Sequence, residues 1–309
     1  SAGVVGVKIQ RVQWTDYPNY GSLPTPTAAP VYPANHTVGL TVHDVAATPS
    51  LPASHLDVMS LSNATRDIYY YGAFAYDAAG NYSAAAVSAQ ARSTSYWLGD
   101  IAAAFDGSVY FTDLVVFTGT YGVNHGQPGF VDHADFGPTH NNSPKGIPLP
   151  DDKVEFEDLA IFAINFNNVS PMMAKNSPTL SGAPVSNTAN LRLVDRLTAD
   201  GYFVDLVLDN RSNDSKSLIG EISFDPSQLS LVSSTIGEDI ANPSLPLFFK
   251  SIVGESKVSI SAAVLGEGLA FTGSGTIATL KFQTRTATPL RAKLTRADIR
   301  DNANSSIIA

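Results

Sequence analysis

Cysteine is absent from the 309-residue chain. Disulfides, thiol nucleophiles and thiolate metal sites are therefore excluded, while the compartment stays open. Charge is scarce as well, at 15% of residues against 44% hydrophobic, the reverse of the balance that keeps a chain disordered. Basic residues are the scarcer sign, 19 Lys+Arg against 28 Asp+Glu, for a net charge of −9. With no basic run, nucleic-acid binding by phosphate neutralisation is disfavoured. No apolar run reaches the ~18 residues that span a bilayer. The opening SAGVVGVKIQ lacks the basic and long apolar regions of a secretory leader, so the chain is either cytosolic or stripped of a leader. Catalytic signatures are missing too: there is no G-x-S-x-G, H-E-x-x-H or P-loop, and no spacing of carboxylates argues for a glycosidase pair. The expectation is a protein that is not an enzyme.

What is present points outward from the cell. Ser, Thr, 23 Gly and 19 Pro give the profile of a secreted β protein. Eight N-x-S/T sequons stand at Asn35, Asn63, Asn81, Asn141, Asn168, Asn210, Asn213 and Asn304 and are candidate glycosylation sites. Length alone suggests about two domains, or three smaller modules.

The texture changes along the chain. Residues 1–95 read as strands and long turns. VVGVKIQRVQW alternates at period 2, and IYYYGAFAYD precedes the turn Asp77–Asn81. On that strand Tyr69, Tyr71, Ala73 and Ala75 share one face, and Tyr70, Gly72, Phe74 and Tyr76 the other. Residues 96–170 hold two runs at the helical period, DLVVFTGTYG and DLAIFAINFN, with a long aperiodic excursion from Asn124 to Pro150 between them. Residues 171–186 read as a linker. From 187 to 309, YFVDLVLDN, LIGEISFD, LSLVSST, KVSISAAVLG, GTIATLKFQT and LRAKLTRADIR are short strands with turns between them, the pattern of an antiparallel sandwich.

The two helical runs belong to a repeat. DGSVYFTDLVVFTGTYG (106–122) and DDKVEFEDLAIFAINFN (151–167) align without gaps at an offset of 45 residues. In a calcium loop of the EF type, oxygens at positions 1, 3, 5, 7, 9 and 12 converge on one hard cation. With Asp113 and Asp158 at position 12, Asp106 and Asp151 fall at position 5. Gly107 takes the sharp turn at position 6, the carbonyls of Ser108 and Lys153 fall at position 7, and Glu155 at position 9. Val109 and Val154 occupy position 8, where such loops usually pair with each other. The competing reading is two helix N-caps, for which Asp is equally suited. His125, His133, Asp135 and His140 lie close together in the excursion and suit a transition metal by residue type.

The repeat resembles the dockerins, with Gly99-Asp100-Ile101 and then Asp106-Gly107, Val109 and Asp113-Leu114 matching their calcium loop and helix. The resemblance implies bound calcium, with Asp100 as the first ligand of one loop and Asp135 as its counterpart in the other. Ala102–Ala104 depart from the pattern where the early ligands belong. Residues 187–309 resemble a cohesin domain through Phe224-Asp225-Pro226 with Leu229, Gly273-Ser-Gly275 with Ile277, Ala278, Leu280 and Phe282, and Asp298-Ile-Arg300-Asp301. That resemblance implies a jelly-roll-like sandwich that binds dockerin helices through one sheet face. Residues 66–93 resemble the last two strands of a fibronectin type III module, which is either whole, with Trp14 as its early-strand tryptophan, or incomplete, with GVKIQRV as a middle strand and the opening strands missing.

The expected architecture is mainly β: two sandwiches separated by a small helical calcium module. The expected function is an extracellular or cell-surface structural protein, stabilised by calcium, that assembles head to tail with copies of itself through docking and strand exchange. The alternatives are a surface module that captures other secreted proteins, and the ancillary domains of a polysaccharide-degrading enzyme.

Overall fold

A computed structural model describes residues 3–13, 32–46, 57, 67–102, 105–168, 189–210, 214–238, 240, 246–286 and 291–308. Trp14, Asn63, Asn213, Ala103, Ala104 and the linker 171–186 lie outside them. The fold is mainly β, with three antiparallel sheets and two α-helices among the described residues.

The first sheet contains β1 (Val4–Gln13), β2 (Leu40–Ala46), β3 (Ile68–Asp77) and β4 (Gln90–Thr94) in the order β2-β1-β3-β4. β1 lies inside the sheet, paired with β2 on one side and β3 on the other. Its register with β3 pairs Gln13 with Tyr69 and Val12 with Tyr70, so the two tyrosine rows lie on opposite faces, as alternation requires. The turn after β3 is closed by Asp77, whose carboxylate accepts the backbone N–H groups of Ala79 and Asn81. β2 carries no clear alternation signal and was not expected from the sequence.

The chain then enters α1 (Phe111–Thr120) and α2 (Phe156–Asn165), which coincide with the two periodic runs. Their repeat has physical form. The equivalent residues Phe117 and Phe162 stack on each other, ring centroids 4.6 Å apart, so the two copies meet about a local pseudo-twofold axis. The valines at position 8 do not pair with each other. Val109 exchanges hydrogen bonds with Asn167 and Asn168 after α2, and Val154 with Gly122 and Val123 after α1. Each loop is thus sewn to the exit of the other copy's helix.

The remaining strands are β5 (Ala189–Thr198), β6 (Gly201–Asn210), β7 (Ser217–Ser223), β8 (Leu229–Ile236), β9 (Leu247–Val253), β10 (Lys257–Val264), β11 (Gly275–Thr284) and β12 (Lys293–Arg300). They form two four-stranded sheets, β5-β6-β11-β8 and β12-β7-β10-β9. Alternate residues of both sheets fill one core: Val204, Leu206, Leu280 and Phe282 from the first meet Leu218, Ile222, Val258 and Ile260 from the second. The Phe224-Asp225-Pro226 corner is held by Asp225, which accepts from Ser227 and Gln228.

Candidate functional site and internal docking interface

The outward face of β12-β7-β10-β9 decides what the sandwich can hold. On β10, Val258, Ile260, Ala262 and Val264 point into the sandwich core, which leaves Ser259, Ser261 and Ala263 outward. These small residues form a shallow track. Beside it run Ile219 and Glu221 of β7 and Phe248, Lys250 and Ile252 of β9, with Arg296 of β12 next to Glu221.

The helical pair of the same chain lies on this track. Ile219, Phe248, Ala263 and Leu265 join one apolar core with Phe117, Tyr121, Leu159, Ile161, Phe162 and Phe166. α2 is apolar on nearly every side, and all its residues but Glu157 are buried. A helix of that kind is covered all round, here by α1 on one side and by β7 and β10 on another. Phe248 meets Phe117 and Tyr121 at centroid distances of 6.0 and 5.2 Å. Polar bonds fix the pose. Tyr121 donates its hydroxyl to Ser261 Oγ at 2.6 Å, where burial raises the phenol's pKa. The Gly266 N–H caps the Ala163 carbonyl near the end of α2 at 2.9 Å, and Lys250 Nζ donates to the Thr118 carbonyl at 3.2 Å. Arg296 bridges Glu157 and Glu221 at the rim, 3.6 Å from each.

The excursion 124–150 fastens the helices to the first sheet. Ile147 packs with Ile68 and Tyr70, and the buried Asn165 donates to the carbonyls of Leu98 and Pro144. The same excursion separates the histidines: His140 Nδ1 accepts from the Ile147 N–H, His125 lies 3.8 Å from Asp152, and His133 stands edge-on to Phe105. Among the described residues, no group of three or more His, Asp or Glu is placed to hold a metal ion.

The acidic residues of the repeat fall into two sets. Asp113 and Asp158 are buried at the third position of their helices. Asp113 accepts from Ile101 and Ala102 with one oxygen and from Tyr110 with the other, at 2.8–3.0 Å. Asp158 does the same with Phe136 and Gly137, then Glu155, at 2.6–2.8 Å. Gly137 lies so close to α2 that a Cβ there would stand 2.7 Å from the Asp158 nitrogen. Asp100 and Asp135 are also counterparts. Asp100 accepts from the Gly107 N–H, and Asp135 from those of Asp151 and Asp152. Burial, with the neighbouring acids, pushes Asp135 up to about 7 and holds Asp158 well above the usual carboxylate range. Asp106 and Asp151 point elsewhere, on the surface. Asp106 bonds the Ser108 N–H and the Tyr110 hydroxyl, and Asp151 lies 3.5 Å from Lys153 Nζ. The Lys153 backbone bridges to Asn124. Glu155 is half-buried, its N–H bonded to Asp158. The early and late acids of each loop are therefore both turned to backbone N–H groups of the loop, while the position-5 acids are exposed, Asp151 near enough to Asp135 to raise its pKa.

Of the described sequons, Asn35, Asn81 and Asn141 are exposed, Asn168 is half-buried and Asn210 ends β6. Asn304 is buried, its amide nitrogen donating to the Asn142 carbonyl, which leaves no room for a glycan there.

Sequence reasoning missed the docking residues Tyr121, Phe248, Ser261 and Gly266. One signal was available, the all-round apolar character of FEDLAIFAIN.

No family model matches the chain, and no curated protein does. Among solved structures, it is similar to the cohesin module of a family 33 glycoside hydrolase from Clostridium perfringens, at 17% identity and a TM-score of 0.32, over 39% of this chain and 89% of that one. The sixth cohesin of Acetivibrio cellulolyticus scaffoldin B, solved in complex with a Cel5 dockerin mutant, matches at 17% and 0.32 over 40% and 92%. A non-cellulosomal cohesin from Archaeoglobus fulgidus matches at 17% and 0.29 over 40% and 85%. Scores this low leave the strand order and packing of this chain as the ground for its function.

Proposed function

We propose that the chain is an extracellular structural protein without catalytic activity, a building block that joins copies of itself head to tail in a filament or surface array. The observation that carries this reading is the filled face: the outward face of the sheet β12-β7-β10-β9 holds the two helices of its own chain. A module built to capture other secreted proteins would keep that face open.

Twenty residues separate Asn168 from Ala189. Covalent linkage makes this contact intramolecular, which favours it over the same contact between separate chains. At ordinary concentrations the face therefore stays filled from within, and the contact makes one stiff body out of several modules. Packed copies can form the same contact between neighbours. The helices of one then seat on the sandwich of the next, a heterologous contact that need not close into a ring. Strand exchange offers a second joint. Among the described residues β2 and β4 each pair on one side only, and an unpaired strand edge is a template for another chain.

Light scattering and negative-stain microscopy across a concentration series test the proposal. Linear species that grow with concentration, and that are lost when residues 1–95 are removed or Ala263 is changed to Arg, are the expected result. A monodisperse monomer at every concentration overturns it. Retention of a foreign dockerin-bearing protein by the intact chain would favour the capture reading instead.

A further inference from the structure

We infer that the helical module closes its two loops with its own buried carboxylates and does not need a calcium ion to do so. This goes beyond the polymer reading and does not depend on it.

A calcium ion needs six to eight oxygens turned toward one point, at ~2.3–2.6 Å. Loop spacing puts a carboxylate at position 5 and another at position 12 in each copy. The structure buries one and exposes the other. Asp113 and Asp158 are 1% and 0% exposed, and Asp106 and Asp151 lie at the surface. Each surface acid already has a local use, with the Tyr110 hydroxyl or with Lys153.

The groups that converge on the late acids are N–H donors, which compete with a cation for the same oxygens. Three backbone N–H groups converge on Asp113, those of Ile101, Ala102 and Tyr110. Three converge on Asp158, those of Phe136, Gly137 and Glu155. Converging N–H groups make a concavity for an anion, and here the anion is supplied by the chain. Each of these carboxylates spends three of its roughly four lone-pair sites on these bonds. Asp100 and Asp135 tie the far side of each loop in the same way, through Gly107 and through Asp151 and Asp152. The two copies agree bond for bond at the late acid although the second loop is ten residues longer between its early and late acids. The arrangement therefore belongs to the repeat and not to one loop's accident. The work of a metal, drawing the loop's start onto the first turn of the helix, is done by a carboxylate that reaches from the helix to the loop's start.

The test uses the full chain, stripped with a chelator and then melted with and without 5 mM calcium chloride (about 5 mM being ample for a micromolar site). A second sample carries Asp106→Asn with Asp151→Asn, surface changes that spare the fold. The expected result is a melting temperature that calcium moves by less than about 2 °C in both proteins. A rise of several degrees in the parent chain, abolished in the double variant, overturns the inference. Asp113→Asn puts an amide N–H₂ among three N–H donors and is expected to lower the melting temperature by about 5 °C or more, equally in chelator and in calcium. A loss that calcium restores would overturn it as well.

Discussion

Lys216, which immediately precedes β7, is fully buried, and its side-chain nitrogen donates to the carbonyls of Gly266 and Leu269. Burial brings its pKa down to about 7, against the pull of Asp214 and Glu267. An unfolded lysine titrates near ~10.4. Between those values the unfolded chain holds the extra proton, so stability rises with pH from about 7 to 10. A neutral amine keeps two N–H donors, enough for both carbonyls, so the bonds survive deprotonation. Lys216→Met is expected to cost about 2–3 kcal/mol by leaving two buried carbonyls unpaired, and to remove this part of the pH slope. Denaturant titrations of both proteins at neutral and alkaline pH check it. Asp152 is a second residue-scale case. It takes the left-handed conformation, φ +69°, at the position where the other copy has Gly107 at +83°. Asp152→Gly is expected to raise stability by up to about 1 kcal/mol, read from the same titrations.

Among the elements, the helices and most strands of the sandwich were legible because their apolar period matches their surroundings. β5 and β9 were not. β5 is an edge strand whose alternation breaks at Val194, which is exposed, and at Asp195, which falls on the face of Leu191 and Leu193, and β9 carries Lys250 outward to the helices, where a polar residue interrupts a strand of which only Phe248 is fully buried. The acidic loops show a different limit. The resemblance to the dockerin pattern, not the spacing, offered Asp135 as the counterpart of Asp100, and the structure gives both the same place before the late acid's N–H donors. Spacing could not tell an acid that caps a helix from one that binds a cation, since both need a carboxylate at the same residue and differ only in the direction it faces. The docking elements carry their own expectation. Phe248→Ala removes the ring that meets Phe117 and Tyr121 and is expected to cost about 3–5 kcal/mol. Hydrogen exchange should show α2 losing protection while the inward residues of β7 and β10 keep theirs. Equal loss in both would mean that the helices and sandwich unfold as one unit and that the docking face is not a separable contact.

At the scale of the molecule, the helical pair and the sandwich share one apolar core among the described residues. A protease site inserted between Asn168 and Ala189 is therefore expected to yield two fragments that co-elute on size exclusion, and that separate once Phe248 is Ala. Fragments of the parent that part on cleavage would show the interface too weak to stiffen anything. The crossed hydrogen bonds of Val109 and Val154 reach further still. Because each copy finishes its loop on the backbone that leaves the other's helix, neither half offers a complete set of partners to itself. Loss of either copy would strip the other's valine of its backbone partners, so the duplicated unit is the smallest one that can close itself.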